Sequence, residues 1–310
     1  MWHLQRPSRG TLRWYKILTL ENLYDRIEKS DLDEAIKNML VMPGRARFKV
    51  LKKMLLSPPE SLYGINARLE RKLEHKGLWT EENKEKLLNA FDYAGVLSRN
   101  KKNSYALTGK IGRNTCTYCN RIYTHTITDD SGGVARPELD HWLDKAEHPL
   151  LSLSIYNLIP SCHICNSTIK HMVHFEYGKH VHPYDKDGIK FSFGYKCGTG
   201  GKWEVKLKNC KGKEAETAKE LKTLQLYKPH GMMEVKDLLD FATDNTKEYL
   251  EELCQYVMHK GKKTLSWDEA YRIIFGTERE EERYLDRPLS KMKHDVLLQL
   301  KKNKGIKIIN

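Results

Sequence analysis

Two cysteine pairs share one spacing and one follower: Cys116 and Cys119 in CTYCN, and Cys162 and Cys165 in CHICN. A CxxC turn sets two sulfurs on one side of an ion, and a second such turn closes the tetrahedron that zinc prefers. Four thiolates leave no position for water, so the expected zinc is structural, a tie for a core too small to hold itself together. The alternative is four reduced cysteines packed as small apolar side chains. His125 and His163 are near enough in sequence to replace a ligand, although four sulfurs suffice. Between the pairs stands ELDHW, where Asp140 offers a carboxylate to a hard cation. Its neighbour His141 carries an imidazole with an ordinary pKa near neutrality, suited to taking a proton from water. Asn166 can turn an amide oxygen toward the same cation, and Lys170, one helical turn later, can reach a phosphate.

Neighbouring residues on a strand point to opposite faces, so Asp140 and His141 can serve one site only at a strand end or bend. The segments RPELDHW and YNLIPSC read as short strands and CNSTIKHMVHF as a helix. IKFSFGY and WEVKLK read as alternating strands about the turn GTGGK. Before them, from Leu20 to Leu97, apolar residues recur at three and four, broken at Pro58 and Pro59, and SRNKKNSYALTGKIGRN reads as a polar connector. After Lys211 the helical period returns, through AETAKELKTLQLY, VKDLLDFATDNTKEYLEELCQYVMH, SWDEAYRIIF and the final LSKMKHDVLLQLKKNKGIKIIN. The expected class is α+β: a small zinc-stabilised core with its following hairpin over 111–210, between mainly helical regions at 1–110 and 211–310.

Taken in order and framed by the cysteine pairs, DHW, YNLIPSC and CNSTIK resemble the HNH nuclease family with its zinc-bearing ββα-metal core, over about a fifth of the chain from Cys116 to Tyr184. That resemblance implies His141 as general base, Asp140 and Asn166 as holders of a catalytic Mg²⁺ or Mn²⁺, and Asn157 as the residue that orients the His141 loop by hydrogen bonding. It implies hydrolysis of DNA phosphodiester bonds to 5′-phosphate and 3′-hydroxyl ends. HPY at His182 to Tyr184 resembles the segment just after the core in a subset of these nucleases. Two positions depart from many relatives: Asp144 stands where a proline is common, and His148 where an aromatic is, which makes His148 a candidate second base or ligand. Proteins of this general layout resemble subunits of bacterial anti-phage defence systems of the Septu type, often encoded beside an SMC-like ATPase, which makes such an ATPase a candidate partner.

Charge points the same way. Lysine and arginine number 54 against 41 aspartates and glutamates, a formal charge of +13, so the expected large partner is a polyanion, nucleic acid first. RARFKVLKK, KLKNCKGK and KNKGIKIIN could follow a phosphate backbone, each cation adding a sequence-blind contact. Arg6, Arg9, Arg13 and Lys16 interrupt the first twenty residues, which argues against a signal peptide, and no stretch is apolar enough to span a membrane. A reducing cytoplasm is expected, with Cys197, Cys210 and Cys254 as small buried side chains. His171, His174, His180 and His182 read as surface or phosphate-facing groups without a catalytic role. Two other functions fit the same residues: an RNA- or tRNA-cleaving toxin, and a zinc-ribbon binding or assembly module without activity.

Overall fold

The computed structural model describes residues 2–130, 132–171, 173–185, 189–244, 252, 255–256 and 266–304. Its contacts divide the chain into two compact units: His3–Arg113 with Thr124–Lys186, and Met1–Trp2 with Asn114–Tyr123 and Asp187–Asn310.

The first unit starts with helix α1, Arg9–Lys29, which Ser8 caps by accepting the Thr11 N–H. Tyr15, Leu20, Leu23 and Ile27 form its buried stripe. Helices α2 (Glu34–Leu40) and α3 (Lys49–Leu56) follow. Pro58 and Pro59 then begin α4 (Pro59–His75), where a proline at the first position forfeits no hydrogen bond. After α5 (Glu81–Phe91) comes α6 (Lys101–Ile111), in the stretch expected to be a polar connector. Asn100 caps it through the Asn103 N–H, and Gly112 at φ 66° ends it. Its buried residues are Ser104, Leu107 and Thr108, too few apolar side chains to give the sequence a visible period.

Two short strand pairs complete this unit's sheet structure. β1 (Ile127–Asp129) pairs with β2 (Gly132–Ala135), and β3 (Glu138–His141) runs antiparallel to β4 (Leu158–Ser161), setting Asp140 opposite Ile159 and His141 opposite Leu158. A 3₁₀ turn over Ile155–Asn157 occupies the start of the segment read as one strand. The helix expected over CNSTIKHMVHF is shorter than its pattern suggested. It is a π-helical segment, Ile164–Ile169, closed by the Lys170 N–H on the Cys165 carbonyl. Beyond it the backbone is irregular and brings Phe175 back against Trp142, with ring centroids 5.4 Å apart.

The second unit carries the hairpin of β5 (Ser192–Cys197) and β6 (Trp203–Lys208), paired in register from Ser192 with Lys208 to Cys197 with Trp203. Helices α7 (Lys213–Glu220), α8 (Thr223–Tyr227), α9 (Glu234–Asp244), α10 (Trp267–Phe275) and α11 (Ser290–Lys304) follow. α11 lies against β5, where the Asp295 carboxylate accepts the Phe193 N–H at 2.8 Å. The hairpin thus belongs with the C-terminal helices, and the N-terminal helices belong with β3 and β4. Cys197 is exposed at the hairpin end and Cys210, just past β6, is half-buried, so neither is the buried small residue expected; both stand where the strands run out and no core covers them. Cys254, most of the helical pattern after 244 and the last six residues of KNKGIKIIN lie outside the described residues. No described helix is long and apolar enough to cross a membrane.

Candidate metal centre and catalytic cleft

The Sγ atoms of Cys116, Cys119, Cys162 and Cys165 all lie within 4.8 Å of one another, and all four residues are buried. Zinc–thiolate bonds of about 2.3 Å in a tetrahedron place sulfurs about 3.8 Å apart, so the cluster could hold a zinc ion with little adjustment. It is an all-cysteine group: His163 is turned outward and pairs through Nδ1 with Glu138 Oε1 at 2.8 Å. The two CxxCN asparagines have different work. Asn120 is fully buried at φ 48°, a left-handed conformation asparagine tolerates. Its Nδ2 donates to Thr115 Oγ1 and to the carbonyls of Tyr284 and Arg287, while its Oδ1 accepts the Ser290 N–H. Tyr227 adds a hydrogen bond of 2.6 Å from its hydroxyl to the Cys119 carbonyl.

Asn166, by contrast, faces a cleft of about 390 Å³ together with Tyr93, Arg136, Glu138, Asp140, His141, Asp144, Lys145, Ser167 and Lys170. His141 is the last residue of β3, the strand end that lets it share the cleft with Asp140. Its Nε2 lies 2.9 Å from the Ser152 carbonyl oxygen. A carbonyl only accepts, so Nε2 carries the ring proton and Nδ1 keeps the free lone pair. The Tyr93 ring stands edge-on to the imidazole, centroids 4.4 Å apart, and the Tyr93 hydroxyl donates to the Leu139 carbonyl. Burial above all pushes the His141 pKa down to about 3, with Lys145 and Lys170 adding to the fall against the Ser152 hydrogen bond. At neutral pH the ring is therefore a neutral acceptor, although a weak base.

Lys170 is placed differently from the expectation. Its ammonium is buried, 3.2 Å from Asp140 Oδ2 and donating to the His141 carbonyl at 2.9 Å, above the Phe175 ring. It is an internal counter-charge for Asp140 and an anchor for the end of β3, and it does not extend toward an external phosphate. Asn166 Nδ2 donates to Glu138 Oε2 at 2.7 Å, with Ser167 Oγ on the same oxygen at 3.3 Å. Burial would raise the Glu138 carboxyl, but hydrogen bonds from Asn166, His163 and Ser167 together hold it below the usual range. Asp140 and Asn166 thus bring a carboxylate and an amide to one cleft, and oxygen donors of these two types are the kind a hard divalent cation takes.

Behind the cleft, Asn157 clamps the chain that follows His141. Its Oδ1 accepts the Leu143 N–H at 2.8 Å, its Nδ2 donates to the Leu143 and Leu151 carbonyls, and its own carbonyl accepts the Trp142 N–H. Tyr63 of α4 donates to the same Oδ1 at 3.4 Å and meets His182 Nε2 at 2.8 Å. His180 and His182 are both buried, not surface groups; His182 sits edge-on to Trp142, centroids 4.6 Å apart. Its Nδ1 accepts the Tyr184 N–H, and burial pushes its pKa down to about 3. A buried neutral histidine gives a signed expectation: the unfolded chain takes up its proton near pH 6.5 and the folded chain does not, so stability is full above 6.5 and falls toward acid. Urea unfolding at pH 5.5 is expected to show about 1.4 kcal/mol less stability from this residue than at pH 7.5. In His182→Gln the drop over that interval should shrink by the same amount; an unchanged drop would show that His182 is protonated in the fold.

His148 turns away from the cleft to Glu70, with Nδ1 to Oε1 at 2.8 Å, while Asn66 Nδ2 donates to the same oxygen, so it is placed neither as base nor as ligand. Asp144 lines the cleft and accepts the Ala146 N–H, closing a turn there. His171 is exposed at the cleft edge, and His174 is exposed as well. Sequence reasoning missed Tyr93, Ser152 and Glu138. Only Glu138 carried a signal, its place two residues before Asp140 on the same strand face. No family model matches the chain, and no curated protein or solved structure shows detectable similarity to it.

Proposed function

We propose that the chain is a metal-dependent endonuclease of the HNH kind, built on a ββα-metal core and acting on DNA. The observation that carries this reading is the convergence in one cleft of Asp140, Asn166 and a histidine, His141, whose Nδ1 is free to accept a proton. Asp140 and Asn166 would hold a divalent cation, which when bound neutralises phosphate charge and eases departure of the leaving oxygen. His141 Nδ1 takes the proton of the attacking water, and the Ser152 carbonyl steadies the imidazolium that results by accepting from Nε2. Asn157 and Lys170 hold the end of β3 so that the base does not swing out of the cleft. Arg136 and Lys145 at the cleft give an anionic strand its local attraction, and the exposed Arg47, Lys49, Lys52 and Lys53 of RARFKVLKK supply further sequence-blind contacts. On the same resemblance the chain serves in anti-phage defence beside an SMC-like ATPase.

The test is a cleavage panel of supercoiled plasmid, single-stranded DNA and tRNA with Mg²⁺ or Mn²⁺, run on the native chain and on His141→Ala. Nicking of DNA by the native chain alone supports the proposal. Cutting confined to tRNA would replace the substrate with RNA, and binding without cutting would favour a zinc module without activity.

A further inference from the structure

We infer that Glu138 is a positioning residue that decides which end of the Asn166 amide faces the cation, an inference that rests on the nuclease reading above. The two ends of a carboxamide are nearly the same size and opposite in polarity, so an asparagine serves a cation only if something fixes its rotation. Glu138 and Asp140 are two residues apart on β3 and share its cleft face, and Asn166 approaches from the π-helical segment. The carboxylate of Glu138 only accepts. At 2.7 Å from Asn166 Nδ2 it is satisfied by the NH₂ end and repels the oxygen end, so Oδ1 is left to turn away from Glu138. Both Glu138 oxygens are already engaged, Oε1 by His163 and Oε2 by Asn166 and Ser167, which argues against Glu138 as a cation ligand itself. Without it the amide is free to rotate by half a turn and present NH₂ to the ion.

The experiment is Mn²⁺ binding followed by electron paramagnetic resonance on the zinc-loaded full chain, in a double-mutant cycle of Glu138→Ala and Asn166→Asp, with Asp140→Ala to mark the cleft ion. In the native background Glu138→Ala is expected to weaken Mn²⁺ about 10- to 100-fold, the usual effect of losing a partner that orients a ligand. In the Asn166→Asp background the same change is expected to cause no weakening and to tighten binding, because a carboxylate needs no orientation and loses a like-charged neighbour. That reversal of sign is the signature of the role. Equal weakening in both backgrounds would make Glu138 a ligand or a mere prop and overturn the inference, as would no change in the native background. Should Glu138→Ala lose its zinc, Glu138→Gln takes its place: a loss of a few fold in the native background and none in Asn166→Asp supports the role, and equal losses overturn it. If Asp140→Ala and the native chain bind Mn²⁺ alike, the cation site itself is refuted and this inference falls with it, an outcome distinct from the others.

Discussion

His141→Ala is expected to lower Mg²⁺-dependent plasmid nicking by about 10²- to 10⁴-fold, the range general-base catalysis contributes. The ring is buried beside Tyr93 and hydrogen-bonded through Nε2, so its loss removes the free Nδ1 and leaves a small cavity without exposing an unpaired charge. Zinc content and cooperative unfolding should therefore survive. His141→Asn is the sharper companion, since it offers an acceptor of similar polarity that is not a base. Both variants should be inactive together at saturating Mg²⁺. Nicking at the native rate by either one would remove His141 from the chemistry and leave the cleft as a binding site.

Cys162→Ser is expected to have the opposite profile, losing the zinc and most of the folded-state stability. Structural zinc binding is worth about 10–16 kcal/mol in small domains at neutral pH, as much as the whole stability of a typical domain. Here the four sulfurs are buried within 4.8 Å of one another, an arrangement with no ready alternative once one thiolate is gone. Metal analysis should find one zinc per native chain and less than half that in the variant, and thermal unfolding should lose its cooperative step or shift down by more than 10 °C. A strong chelator applied to the native chain should reproduce the shift. A purified native chain without zinc, or a variant melting within a degree or two of it, would show four reduced thiols packed as hydrophobes.

The parts of this site that were legible in the sequence are those whose chemistry depends on spacing along the chain. The paired CxxC turns, the DH step at a strand end and the asparagine after the second pair are local patterns; the four cysteines cluster, and Asp140, His141 and Asn166 line one cleft. The features that escaped reading depend on distant segments. Ser152 contributes only a backbone carbonyl, which leaves no trace in residue type. Tyr63 comes from α4 and Tyr93 stands just after α5, and in sequence both look like ordinary core aromatics. Lys170 was read by its charge and its place one helical turn after Asn166, whereas its burial beside Asp140 and Phe175 decides its role. The helix α6 was missed because its buried face holds a single apolar side chain, Leu107, between Ser104 and Thr108, and the helix after Cys162 was read too long because its pattern does not show where the wide turn closes.

The dependence of β3 and β4 on the helices before them bears on how such a centre can be moved or reused. Tyr15 reaches the Leu153 carbonyl at 2.8 Å, Tyr93 seats on the imidazole and holds the Leu139 carbonyl, and Tyr63 joins Asn157 to His182. Three phenols from three separate places upstream act as fixed rests for a strip of backbone that has little regular structure of its own. A graft of the short segment from β3 to the second cysteine pair into another scaffold would carry Asp140, His141 and Asn166 without these rests, and would leave their mutual geometry loose.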